Sequence, residues 1–270
     1  MLCASKRPRR PRPRRRSSVA GELSTLAIEL NPSLDLTKLA SDYGQTRRMQ
    51  IRNFLTDRSA HAVLEDLHEL PWGLAYNDGL TVHQVSPDRV AAMTDREGSQ
   101  IMAGIQARAR TQYQFLYAFF PTLAAYISPT SPRFRIFEFF EFINSEPVLQ
   151  FIRRLTGLDE IRWADAQATW YRPGHFLKGH TDEDPSTGRV AAYIMNFSKD
   201  WERDWGGFLQ FFDSNDNIEQ AFKPSFNTLN IFTIPQLHSV SMVSTYVQAE
   251  RLAVTGWFRN DDPPAPIGKA

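Results

Sequence analysis

With 270 residues, 42% hydrophobic and 12% aromatic, the chain carries enough apolar side chain for one large core, and no apolar run approaches the ~20 residues of a membrane-spanning helix. The formal charge of +1 conceals an uneven distribution: eight of the 31 bases fall within residues 1–16, so the remaining body is acidic, which argues against a nucleic-acid groove. The single cysteine, Cys3, excludes an internal disulfide and a cysteine-rich zinc site, and it is compatible with a reducing compartment such as the cytoplasm.

Residues 1–18 read as a solvated basic arm, because Pro8, Pro11 and Pro13 break the arginine run and prevent an amphipathic helix. Glu22 and Glu29 interrupt the segment that a secretory signal would need to keep apolar. Residues 19–262 are expected to form one domain, with a helical layer over 45–160, a jelly-roll core over 161–260 and a tail over 263–270. The spacing of Ala60, Val63, Leu64, Leu67 and Leu70 predicts a helix over 57–70, stopped by Pro71. Residues 72–85 alternate loosely around Asn77-Asp78-Gly79, as a hairpin does. Ser86-Pro87 opens a helix, a longer helix is predicted over 99–119, and Asn144 or Ser145 caps another that ends at Gly157. The pattern then changes to short strands at 163–171, 176–182, 189–197, 208–212, 227–234, 238–243 and 251–259, separated by Gly, Pro, Asn and Asp turns. Short strands following a helical layer imply a sandwich or jelly roll.

All the candidate ligands fall in the strand-rich half. If residues 176–182 run as a strand, positions two apart share a face, so His180 and Asp182 can grip one ion together. Of the other histidines, His61 and His68 read as neighbours on one helix face, His83 as a hairpin residue and His175 as a turn residue. His238, far downstream of Asp182, is the candidate third ligand. Two imidazoles and one carboxylate form the facial triad of a ferrous oxygenase, which leaves the opposite coordination positions open. Arg251 then opens a strand on which Arg251, Ala253, Thr255 and Trp257 share a face. If that face points inward the guanidinium is buried and needs an anion, which a carboxylate cosubstrate supplies with bidentate geometry.

Three segments carry a more specific likeness: Trp170-Tyr171-Arg172-Pro173-Gly174-His175-Phe176-Leu177-Lys178-Gly179-His180-Thr181-Asp182, then Trp205-Gly206-Gly207-Phe208-Leu209, then Arg251-Leu252-Ala253-Val254-Thr255-Gly256-Trp257-Phe258-Arg259. With His238 between the last two, they resemble the prolyl 4-hydroxylase-like branch of the Fe(II)- and 2-oxoglutarate-dependent dioxygenases over roughly residues 45 to 260. The resemblance implies an α+β fold, a double-stranded β-helix (jelly roll) with an N-terminal helical layer packed on one sheet. It implies Fe(II) held by His180, Asp182 and His238, 2-oxoglutarate held through its distal carboxylate by Arg251, and Tyr171 hydrogen-bonded to that cosubstrate. Dioxygen is then the co-reactant and ascorbate the reductant. The activity implied is hydroxylation of an unactivated C–H bond, of a prolyl residue or a small molecule, with release of succinate and CO2.

The chain departs from related dioxygenases at Ala253, where a hydroxyl residue is common. Thr255 is the candidate replacement and Asn196 a further candidate for the pocket. Phe176, Trp170, Phe208, Phe211, Phe232 and Trp257 are candidates for an apolar wall, and the hairpin 72–85 with the loop 183–188 for a lid. Two other classes use part of this pattern. A zinc-dependent hydrolase would employ the same two histidines and aspartate but leaves Arg251 and Tyr171 without a role. A non-catalytic binding module with a basic arm leaves the whole ligand set without one.

Overall fold

The computed structural model describes residues 27–265 and 267, so the basic arm and half of the tail lie outside the described residues. Helix α1 (Leu36–Thr46) leads into strand β1 (Arg48–Arg52), helix α2 (Asp57–His68) and the hairpin of β2 (Gly73–Asp78) with β3 (Thr81–Val85). Helices α3 (Pro87–Ala91) and α4 (Asp95–Ala109) precede β4 (Phe115–Phe120), and α5 (Thr122–Ile127), α6 (Ile136–Ile143) and α7 (Glu146–Thr156) follow it. The remaining strands are β5 (Trp163–Ala164), β6 (Gln167–Tyr171), β7 (Phe176–His180), β8 (Arg189–Asn196), β9 (Leu209–Phe212), β10 (Ile218–Phe222), β11 (Thr228–Thr233), β12 (His238–Val240) and β13 (Arg251–Arg259).

These strands pair antiparallel in the order β1-β11-β8-β13-β6-β4-β7-β12-β9-β10, with β2 added to β4, β3 to β2 and β5 to β13. Strand β4 pairs with β2 along one edge, while along its other edge its first residues pair with β7 and its last with β6, so it bridges the two layers of the folded sheet. The result is a nearly closed double-stranded β-helix. One layer receives the helices: Val63 and Leu67 of α2, Ile136 and Phe139 of α6 and Ile152 of α7 join Met195, Ile231, Leu252 and Val254 in a single buried core. Each such side chain contributes about 1.5–3 kcal/mol by leaving water. Because side chains alternate along a strand, Leu252 and Val254 serve this core while Arg251 and Thr255 face the cavity between the layers.

Local signals fix the helix ends. The Thr56 hydroxyl accepts from the Ser59 amide at the start of α2, a Thr94–Glu97 capping box opens α4, and Gly157 closes α7 with φ +70°. Two sequence expectations are corrected. The helix over 99–119 stops at Ala109, and Phe115–Phe120 is instead a strand at the fold line of the sheet. A short continuous aromatic run, buried on both faces, has no period with which to choose between helix and strand. The strand expected over 176–182 ends at His180.

Candidate active site

His180 is the last residue of β7 and His238 the first of β12, and the two stand directly opposite each other in the antiparallel ladder. Their rings lie 4.2 Å apart between centroids. The Nδ1 of His180 is 3.0 Å from the carbonyl of Lys178, and that of His238 is 2.8 Å from the carbonyl of Gln236. Donation from both Nδ1–H groups fixes the tautomer and turns the two Nε2 lone pairs inward. Asp182 meets them: its Oδ1 is 3.0 Å from Nε2 of His180 and its Oδ2 is 3.4 Å from Nε2 of His238.

Simple alternation does not bring Asp182 to this point. The chain leaves the strand after His180, and Asp182 adopts the left-handed backbone, φ +61°, which a short polar side chain tolerates better than most. Burial raises the Asp182 carboxyl, but when His180 and His238 are protonated on Nε2 as well, their hydrogen bonds and charge hold it well below the usual carboxylate range. One ligand atom from each of the three residues lies within 4.8 Å of the others. Lone pairs converging so closely repel one another unless a cation sits between them, and this donor set fits a divalent iron.

The same cavity, about 680 Å³, holds Arg251 at its far end. Arg251 is 2% exposed, and among the described residues no carboxylate lies within ion-pair distance of it. Its Nε donates to the carbonyl of Gly207 at 2.6 Å, and its guanidinium lies over the ring of Tyr171 at 4.5 Å. Burial lowers its pKa to about 10, so the group is still a cation at neutral pH. A buried cation without an anion is costly, and the site supplies room for a bound carboxylate. Tyr171, opposite Arg251 in the β6–β13 register, is itself buried. Burial pushes its phenol far up, so it is a protonated donor.

Thr255 lines the cavity, while Ala253 is fully buried between Thr169 and Asn196. Asn196 does not reach the cavity lining. It is fully buried, and its amide donates to the carbonyls of Ile194 and Thr228, which makes it a link within the sheet. Of the candidate wall residues, Phe232 and Trp257 line the cavity, and Phe232 meets His238 edge-on at 4.6 Å. Trp170 lies on the opposite side of its strand from Tyr171, against Trp72, and Phe176 packs with Ile105 and Leu116.

Three wall residues come from β4 and its approach, the segment read as helix: Tyr113, Phe115 and Tyr117. Tyr113 lies 5.7 Å from the His180 ring, and Tyr117 stacks on Tyr171 at 5.3 Å. Phe115 and Tyr117 share one face of the strand, but the run is apolar on both faces, so the sequence carried no periodic signal for them. Arg189 was also missed; its guanidinium covers Trp257 at 3.7 Å, and Arg189 Nε and Trp257 Nε1 have no partner among the described residues.

Residues 166–259 match the model of the 2OG-Fe(II) oxygenase superfamily. The chain is 29% identical over 114 residues to prolyl 3-hydroxylase OGFOD1 of Mus musculus, covering 40% of this chain and 20% of that protein. It is 28% identical over 120 residues to OGFOD1 of Xenopus laevis, covering 42% of this chain and 23% of that protein. The chain thus spans under a quarter of the length of these curated relatives. Among solved structures, a Pseudomonas putida prolyl-4-hydroxylase superposes with a TM-score of 0.54 at 17% identity, covering 84% of this chain and 100% of that one. A Trichoplax adhaerens prolyl hydroxylase in complex with a hypoxia inducible factor peptide gives 0.55 at 16% identity, covering 83% and 89%. At such identities these two likenesses speak for the fold.

Proposed function

We propose, from the premise that residues 166–259 form a prolyl hydroxylase-like 2-oxoglutarate and Fe(II)-dependent oxygenase module, that this chain is a dioxygenase hydroxylating an unactivated C–H bond of a peptidyl substrate, with a prolyl ring as the foremost target. The observation that carries this reading is one cavity holding both His180, Asp182 and His238 within ligand distance of each other and a buried Arg251 that lacks an acid. His180, Asp182 and His238 hold the iron and leave positions open opposite them. With 2-oxoglutarate and dioxygen, iron so held supplies an oxidant that inserts one oxygen atom into a C–H bond while the keto acid is cleaved to succinate and CO2.

The chain's own residues do the positioning. Arg251 presents its two terminal nitrogens to the distal carboxylate of 2-oxoglutarate, and Tyr171 and Thr255 offer hydroxyls beside it. Phe115, Tyr117, Phe232 and Trp257 exclude water, which strengthens each polar contact and protects the oxidant from side reactions. Arg189 and Trp257 line the cavity together, the guanidinium lying over the indole at 3.7 Å. Val82 and Gln84 of β3 and Glu183 and Asp184 of the loop between β7 and β8 border the same cavity, so the hairpin 72–85 and the loop 183–188 serve as its lid. Ascorbate serves as reductant, and a reducing compartment, the cytoplasm, suits ferrous iron.

The test is succinate formation by purified protein with Fe(II), ascorbate and 2-oxoglutarate. The reading requires iron-dependent turnover that is lost in His180→Ala and in Arg251→Ala. Turnover of 2-oxoglutarate that persists in both variants would contradict it. A gain of one oxygen atom on prolyl peptides, found by mass spectrometry only in cells that contain the protein, identifies the substrate.

A further inference from the structure

The Trp205-Gly206-Gly207 turn carries no reactive side chain, yet it is built directly against the buried guanidinium. Both glycines have φ +68°, a left-handed backbone that disfavours any side chain. A Cβ on Gly207 would sit 2.8 Å from Cδ and 3.2 Å from Nε of Arg251. The carbonyl of Gly207 takes the Nε proton at 2.6 Å. The turn is itself anchored. Gly207 N–H donates to Ser241 O at 3.1 Å, the Phe208 amide donates to Ser241 Oγ at 3.0 Å, and Trp201 Nε1 donates to Gly206 O at 2.9 Å. Gly206 allows the close approach of the segment after β12, since a Cβ there would lie 2.1 Å from Met242 O.

These contacts constrain Arg251 on three sides. The Gly207 carbonyl holds the Nε edge, the absent Cβ leaves the slot for the side-chain stem, and the Tyr171 ring covers one face of the plane at 4.5 Å. Two terminal nitrogens remain, and Arg251 lines the cavity. A guanidinium has five donors in a rigid fork, so fixing the Nε edge fixes the direction of the other pair. We propose that Gly207 is a positioning residue for cosubstrate binding: it holds Arg251 in the one orientation that presents a terminal nitrogen pair to a carboxylate before any ligand arrives. This rests on the reading of Arg251 as the 2-oxoglutarate cation. Such preorganisation raises affinity by removing the ordering cost from the binding step.

The test compares wild type, Gly207→Ala, Arg251→Lys and the double variant, each loaded with Mn(II), by calorimetric titration of 2-oxoglutarate. Mn(II) affinity and the thermal unfolding midpoint are measured alongside. Gly207→Ala is expected to keep Mn(II) affinity within twofold while weakening 2-oxoglutarate at least tenfold. In the Arg251→Lys background the same substitution is expected to cost less than twofold, because Lys has no Nε–H to align. An equal loss in both backgrounds, or an unchanged affinity in Gly207→Ala, overturns the positioning role.

A second measurement needs no altered glycine. The Nε–H proton of Arg251 in the unmodified chain, assigned in 15N-resolved NMR spectra by its absence in Arg251→Lys, is expected as one resonance protected from solvent exchange before 2-oxoglutarate is added. Rapid exchange that slows only with ligand overturns the proposal. A wild-type protein that binds Mn(II) but no 2-oxoglutarate overturns the functional reading of Arg251 itself, a failure distinct from the others.

Discussion

Tyr171 combines two roles that one substitution separates. Its ring supports Arg251 at 4.5 Å and Tyr117 at 5.3 Å, while its hydroxyl is a protonated donor in the cavity. Tyr171→Phe keeps the rings and removes only the donor, so 2-oxoglutarate affinity should fall by roughly 1 kcal/mol, about fivefold, with little change in stability. Calorimetry with Mn(II)-loaded protein reads both quantities. His175 offers a pH test away from the ligands. Burial lowers its pKa to about 4 from 6.5, so over that interval the unfolded chain takes up a proton that the folded chain refuses. Stability should therefore fall as pH drops. Relative to His175→Gln, the wild type should lose roughly 2 kcal/mol between pH 7 and pH 5 in urea unfolding, and equal slopes would refute this. Residue identity made His180, Asp182, His238 and Arg251 legible in the sequence, because their chemistry is in the side chains. The left-handed backbone of Asp182 and the sheet-linking role of Asn196 were not, because both are set by neighbours that only the fold supplies.

At the scale of elements, strand alternation is what gives each wall two uses. On β13, Arg251 and Thr255 face the cavity while Leu252 and Val254 serve the helix-covered core, and this was readable from the period of two. Strand β4 was not readable, since Phe115–Phe120 is apolar throughout and its identity depends on pairing with β2, β6 and β7. The Gly206-Gly207 pair stood out in the sequence, but its contact with Arg251, 44 residues further along the chain, did not. The β2–β3 hairpin places Leu80 and Val82 in solvent beside the mouth. Exposed apolar groups there suit contact with a bound peptide. Limited proteolysis within residues 72–85 and 183–188 should slow several-fold when 2-oxoglutarate and a substrate peptide are added together. Cleavage at an unchanged rate would remove these segments as a lid.

For the whole molecule, the order of elements matters less than the closure of the sheet. Antiparallel strands distant in sequence fold over at β4, and only then do β7, the turn after it, β12 and β13 bring His180, Asp182, His238 and Arg251 to one cavity. Among the described residues no helix is long and apolar enough to cross a membrane. The similarity to OGFOD1 of mouse and frog covers 20% and 23% of those proteins rather than their whole length. Anaerobic equilibrium dialysis with Fe(II) and 2-oxoglutarate tests the central claim most directly. Wild type should bind one equivalent of each, His238→Ala should lose both, and Arg251→Ala should keep the iron and lose the keto acid. Iron retained by His238→Ala, or 2-oxoglutarate bound equally well without Arg251, would contradict the account.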